Sequence, residues 1–302
     1  MNLYPLKLKP VLKDIIWGGT RLSNEYGKGA PNQKIAESWE LCVHKNGVNI
    51  IENGLYEGKT LEWLFDSDKN IISKNYISEK FPVLIKFIDA KHDLSVQVHP
   101  NDAYAALRST ESGKTEMWYI LDCAPGARLV YGLNADYTRE ELEHSINSGE
   151  FENCLNYITV KPKDVFFIPA GLIHAIGAGI LLAEIQQNSD TTYRMYDYNR
   201  TDDEGKTREL HIKEALDVCI KTKSEYTSPQ KGDLLTECEY FSVSRNIPSA
   251  PAGFVSVICH GGEGKIISGG KEYRIKKGES YFIPAGCGAE ITGNPDLIFT
   301  YC

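Results

Sequence analysis

No apolar run in this sequence approaches the roughly 20 residues that a helix needs to cross a bilayer, so no membrane span is expected. The N-terminal stretch MNLYPLKLKPVLKD has no long apolar core, and a secretory signal is not expected. Positive charge is not in excess: 33 Lys and Arg stand against 41 Asp and Glu, a formal net charge of -8, with the two signs interspersed. That balance argues against a broad basic face for nucleic acid. Eight cysteines are present but form no CxxC pair, in a chain large enough to fold without covalent staples. Reduced, buried thiols in a cytoplasmic protein are the expectation. What remains is an ordinary globular composition, 42% hydrophobic and 25% charged, over 302 residues, enough for one large unit or two packed domains.

Short β-branched or aromatic segments dominate: VLIKFIDA, LSVQVHP, MWYIL, ARLVYG, DVFFIP, ILLAEIQ, FSVSRN, FVSVICH, EYRI and SYFIP. Gly, Asn, Asp and Pro turns separate them, which predicts sandwiches or barrels rather than alternating strand and helix. A few helices interrupt. TREELEHSINSG carries a capping box from Thr138 to Glu141 and stops before Gly149. HIKEALDVCI and the short PNDAYAALR, entered through Asn101 or Asp102, are the others. KPKDVFFIPAG (161–171) and KKGESYFIPAG (276–286) match along their length and predict two copies of one β-rich module. The polar, turn-rich KTKSEYTSPQKGD is the natural linker, dividing the chain into 1–228 and 229–302.

Four residues have the makings of a metal site. Gln97 and His99 in SVQVHPND are two apart, so a strand points both to one face. Glu116 opens the apolar run MWYIL, and His174 follows a strand and the turn Pro169-Ala170-Gly171. Two imidazoles, a carboxylate and an amide oxygen suit a divalent ion such as zinc. With the repeats aligned, His174 corresponds to Ala289 and the second copy lacks a QxH, so the second module is expected to be metal-free.

QVHPND, KTEMWY, PAGLIHAI and EIQQNSDTTYRMYD, with the earlier WGG (17–19) and IAESWE (35–40), resemble the type I mannose-6-phosphate isomerases in their short bacterial form. The likeness runs from about residue 5 to about residue 200, with a weaker β-module behind it. It implies a mainly β fold of two cupin-type jelly-roll barrels with a few short helices, usually one zinc, and interconversion of mannose 6-phosphate and fructose 6-phosphate through an enediol. It also implies Gln97, His99, Glu116 and His174 as ligands and Arg194 as the active-site arginine, with Lys114 in the position of the family's lysine. Lys86 and Ser95 are expected to contact the sugar phosphate, and Glu184 to meet substrate if its strand turns it inward. The base is left open among Lys114, Glu184 and hydroxide on the metal. Trp17, Glu37, Trp39 and Glu40 read as strand packing, and His44, His92, His144, His211 and His260 as surface or structural. The expected partner is the sugar phosphate alone, with the protein a monomer or homodimer. A dioxygenase-like cupin and a non-catalytic sugar-binding cupin are the competing readings. The first ordinarily uses more histidine ligands, and the second conflicts with a complete ligand set.

Overall fold

The computed structural model describes residues 3–108, 111–201, 205–248 and 251–302. Its architecture follows from two strands, Val83–Ala90 and Ile180–Gln187, which pair antiparallel from Val83 opposite Gln187 to Ala90 opposite Ile180. Every residue of both strands is buried. A strand with one wet face alternates apolar and polar residues, whereas VLIKFIDA and ILLAEIQQ are nearly continuous because both of their faces are covered.

The two strands form the middle of a six-stranded sheet, flanked by Glu116–Cys123 and Val165–Ile168 on one side and Glu37–Leu41 and Val11–Lys13 on the other. One face, with Ile88, Trp118, Ile120, Phe166 and Leu182, packs on Leu94, Leu129 and Ile176. These belong to or flank a five-stranded sheet ordered Leu155–Thr159, Arg128–Leu133, His174–Ala175, Val96–Val98 and Tyr193–Tyr196. The opposite face, with Ile85, Phe87, Met117, Tyr119 and Ile185, packs on Leu8, Ile258, Phe282 and Ile298 of a seven-stranded sheet. That sheet covers, through Val257, Tyr281 and Phe299, the Ile266 and Ile275 side chains of a three-stranded one. Four sheets are thus stacked as two face-to-face pairs, and large side chains buried between them contribute about 1.5–3 kcal/mol each. The chain is mainly β, as the sequence predicts.

The helices occur where expected. Arg139–Ser148 has the full capping box of Thr138 and Glu141 and ends on Gly149 at φ 78°. It and Ile212–Val218 close the outer face of the five-stranded sheet through Leu142, Ala215 and Leu216. The short helix Asp102–Arg108 is entered through Asn101, whose Oδ1 accepts from the Tyr104 amide at 2.9 Å. Two further short helices, Arg21–Tyr26 and Leu61–Ser67, are additions to the sequence reading; Thr60, which caps the second, was its available signal. No helix among the described residues is long and apolar enough to cross a membrane.

The repeat extends to the backbone. Val165–Ile168 and Ser280–Ile283 occupy matching positions in the two copies, and both are followed by a left-handed glycine, Gly171 at φ 91° and Gly286 at φ 78°. The segment 221–233 forms no regular element and is fastened to the first sheet pair by Tyr226, which stacks on Phe166 at 4.4 Å. The first strand, Leu6–Lys9, crosses the other way: Leu6 pairs with Phe282, so the N-terminal segment helps build the C-terminal sheet.

Candidate metal centre

Val96 and Val98 point into the core under the helices. Ser95, Gln97 and His99 alternate with them and therefore face the opposite way, into the space between the two sheets of the first pair. His174 stands opposite Gln97 in register on the neighbouring strand. The Pro-Ala-Gly turn before it is tied to the same place, since the Gly171 amide donates to the His99 carbonyl at 2.9 Å. From the facing sheet come Glu116, Lys86 and Glu184, the last two opposite each other in register.

Three ligand-type side chains converge at full burial, with their donor atoms all within 4.8 Å of one another: His99, Glu116 and His174. His99 Nε2 lies 3.4 Å from Glu116 Oε2, and His174 Nε2 lies 3.4 Å from Glu116 Oε1 and 3.2 Å from His99 Nε2. The other ring nitrogens decide the tautomers. His99 Nδ1 meets the Thr191 carbonyl at 3.0 Å, and His174 Nδ1 meets the Leu172 carbonyl at 2.8 Å. A carbonyl only accepts, so each Nδ1 carries the proton and each Nε2 turns a lone pair toward the centre, as metal-binding histidines require. Burial, then the nearby Lys114, pulls the His99 imidazole down to about 3, and burial lowers His174 as well. Both rings are neutral near pH 7. Burial opposes charge on Glu116, but the Lys114 ammonium beside it outweighs burial and holds the carboxyl well below its usual range.

These groups fit a divalent cation. Glu116 Oε1 is buried and has no hydrogen-bond partner, and the two neutral imidazoles offer lone pairs beside it. Lys114 already marks the point as one that takes positive charge: its Nζ lies 2.6 Å from Glu116 Oε2 and 2.8 Å from His99 Nε2. Gln97 is at the edge of the group, with Nε2 3.5 Å from His174 Nε2. Ligation through its oxygen needs the amide turned over, which exchanges two atoms of nearly equal size.

A cavity of about 330 Å³ lies beside this group, reaching it through Gln97 and Lys114, with Lys86, Ser95, Glu184 and Arg194 also on its wall. Larger cavities of about 470 and 490 Å³ lie elsewhere, beside Lys277 and beside Cys287, but neither reaches Gln97 or Lys114, the wall residues in contact with His174 and His99. Chemistry rather than size selects the smaller one. Glu184 faces inward. Its Oε2 accepts from Trp118 Nε1 at 3.0 Å, and its Oε1 pairs with Lys86 Nζ at 3.0 Å. Glu37 stands 3.6 Å from the same ammonium. Burial opposes charge on Lys86, and the facing Glu184 and Glu37 restore it. Burial, then Glu116, raises the Glu184 carboxyl, with Lys86 working against them.

Arg194 lies at the cavity wall opposite Gln97 in register. Its Nε donates to Ser95 Oγ at 3.3 Å and its Nη1 to the Glu209 carbonyl at 2.7 Å. Asp197, three residues further on, receives Arg208 at 2.6 and 2.7 Å, together with Arg200. Burial and the nearby Arg208 pull Arg194 below its ordinary value.

The wall extends beyond the residues that the sequence singles out for the site. Trp17 and Glu37, read from the sequence as packing, line the cavity, as do Asp190, Thr192 and Arg208. For Glu37 the signal was available: it is two residues from Trp39 and thus on the inward face, and its Oε2 accepts from Trp39 Nε1 at 2.6 Å. His211, read as surface or structural, braces Arg194, its Nδ1 accepting from the Arg194 amide at 3.2 Å.

Residues 5–119 match the model of the phosphomannose isomerase type I catalytic domain, and residues 231–302 match that of the mannose-6-phosphate isomerase cupin domain. The mannose-6-phosphate isomerase ManA of Bacillus subtilis (strain 168) is 45% identical over 303 residues, 95% of each chain. A mannose-6-phosphate isomerase of Streptococcus mutans is 38% identical over 93% of this chain and 92% of its own. A crystal structure of the mannose 6-phosphate isomerase from Bacillus subtilis superimposes with a TM-score of 0.88 at 35% identity, covering 99% of both chains.

Proposed function

The chain belongs to the type I phosphomannose isomerases, and from its site we propose that it interconverts mannose 6-phosphate and fructose 6-phosphate by a metal-dependent route through an enediol. The observation that carries the metal dependence is the convergence of His99, Glu116 and His174 beside a cavity walled by cationic side chains. We take these three as ligands, with Gln97 as the fourth. The nitrogen and oxygen set suits zinc. A divalent ion held there supplies a Lewis acid that polarises the substrate carbonyl.

The remaining work falls to the side chains on the wall. Isomerisation removes the proton on the carbon beside the carbonyl and returns it to the neighbouring carbon, with a second proton exchanged between the two oxygens. Glu184 and Lys114 both face the cavity and are the candidates to carry the carbon-bound proton. An ionised Glu184 can accept it directly, whereas Lys114 must first lose its own. Arg194 presents a permanently charged guanidinium to the negative charge that develops on the enediol oxygens. Ser95 and Lys86 are substrate contacts. Lys86 is already balanced by Glu184 and Glu37, whereas the single Asp197 faces both Arg200 and Arg208, so Arg194 and Arg208 bring the net positive charge that a phosphate group needs.

The working unit proposed is residues 1–228, with 229–302 as a metal-free cupin-like support that borrows the first strand. Val257, Ile266, Tyr281 and Phe299 fill its interior, where the first sheet pair holds the ligand group. All eight cysteines are free thiols, which suits a reducing, cytoplasmic setting for a monomer or homodimer.

The test is a coupled assay for fructose 6-phosphate formed from mannose 6-phosphate. Turnover is expected, lost to a chelator and regained with added zinc. Undiminished turnover by metal-stripped protein would refute the metal-dependent route.

A further inference from the structure

The geometry points to Glu111 as a positioning residue for the metal centre: its carboxylate gathers the loop 188–191, whose Thr191 carbonyl sets the orientation and tautomer of His99. The inference rests on the metal-dependent reading above and adds a residue that lines neither the cavity nor the ligand group.

The loop follows the buried strand Ile180–Gln187 and leads into the strand that carries Arg194. It therefore joins both sheets of the first pair at the point where His99 needs its acceptor. Glu111 Oε2 accepts three bonds from this loop: from the Asp190 amide at 2.9 Å, from Thr191 Oγ1 at 3.0 Å and from Ser189 Oγ at 3.2 Å. On its other side Glu111 Oε1 meets Lys45 Nζ at 2.6 Å and faces His44 Nε2 at 3.5 Å. Burial opposes its charge, but Lys45 and the Asp190 amide hold its carboxyl at about 2, so it remains an acceptor across the working range.

Three donors within three successive residues leave the loop little freedom to rotate its carbonyls. The same turn also receives Asn46 Nδ2 on Asp190 Oδ2 at 2.8 Å, while Asn188 Nδ2 donates to the Val43 carbonyl at 2.7 Å. The clamp therefore has two jaws, and Glu111 is the charged one. An imidazole whose Nδ1 acceptor shifts loses the alignment of its Nε2 lone pair, and disturbing such partners costs metal sites about 10–100-fold in affinity.

The test uses Co2+ alone as the probe on the full chain stripped of metal, reading its dissociation constant and its visible absorption bands. Glu111→Ala is expected to weaken Co2+ about 10–100-fold and to change the bands, with near-ultraviolet circular dichroism unaltered. Glu111→Gln, which keeps an amide oxygen toward the loop, should fall between. Lys45→Ala, which removes only the exposed partner, should bind Co2+ as the unaltered protein does. Wild-type affinity and bands in Glu111→Ala would overturn the assignment. Should that variant fail to fold, wild-type values in Glu111→Gln would overturn it equally. Failure of the unaltered protein to bind Co2+ would instead remove the metal centre, and the inference with it.

Discussion

Lys114 and Glu116, two residues apart where a buried strand begins, point at one another: the lysine Nζ lies 2.6 Å from Glu116 Oε2. The same ammonium reaches His99 Nε2 at 2.8 Å, so lysine and metal draw on the same lone pairs. Lys114→Met removes a positive charge from a buried site that must accept another. We expect divalent-metal affinity to rise on the order of tenfold or more, while isomerase turnover falls. Titration against a chromophoric chelator reads the first quantity and the coupled assay the second. Unchanged affinity would mean that the ammonium moves clear of the ligands at no cost.

His174→Ala should lose both metal and turnover while the fold survives. The ring lies in a two-residue strand and packs against Trp118 at 5.4 Å, so its loss costs about 1–3 kcal/mol. Metal content and thermal melting of the purified variant check this, and a variant that keeps stoichiometric metal would take His174 out of the ligand set.

For Arg194→Ala the expectation is opposite for the metal, which should stay bound, with turnover lowered by about a hundredfold or more. Arg194→Lys should recover little, because a point charge does not reproduce the planar fork that reaches Ser95 and Glu209. An unchanged turnover number in Arg194→Ala would assign the residue to structure.

Acid should destabilise the metal-free protein early. The His99 pKa falls from an ordinary 6.5 to about 3 on folding, and His174 shifts the same way. Between those values the unfolded chain binds the proton and the folded chain does not. Stability therefore declines as pH drops from about 6.5 toward 3, by up to about 1.4 kcal/mol per pH unit for His99, with His174 acting in the same direction. Bound metal, which needs the neutral rings, should move this loss to lower pH. Denaturant midpoints measured from pH 7 to pH 4 give the slope; a flat profile would contradict it.

Lys163 holds φ 76° in the turn before Val165–Ile168, where the second copy of the repeat has Gly278 at φ 84°. A side chain in that conformation costs about 1 kcal/mol, so Lys163→Gly should raise stability by about 0.5–1 kcal/mol. Gly278→Lys should lower it by more, since a Cβ there would lie 2.0 Å from the Tyr26 carbonyl oxygen. Thermal melting of the two variants compares them directly.

Much of the fold was legible because its signals are local. The capping box at Thr138 is spelled by two residues, and VLIKFIDA shows its double burial in its own composition. Even the repeat is a match between two short strings. Gln97, His99, Glu116 and His174 stood out by residue type and spacing, and Glu184 was recognised as meaningful if it faced inward. Its direction depended on which sheet covered which face. The face of Glu37 was legible from its spacing to Trp39, but its pairing with Lys86 was not, and neither was the hold of Glu111 on Ser189 to Thr191, because both depend on neighbours brought from far along the chain.

The sequence by itself determined the β-rich composition of the modules, the positions of most strands and helices, and the set of side chains able to hold a metal. These follow from periodicity and turn chemistry over a few residues. Only the tertiary structure decided that His99, Glu116 and His174 share one point, that Lys114 reaches it too, and that the first strand completes the last sheet. Such proximities depend on strand register and on the stacking of sheets across their apolar faces. Those are set by packing the whole chain at once, which no short segment encodes.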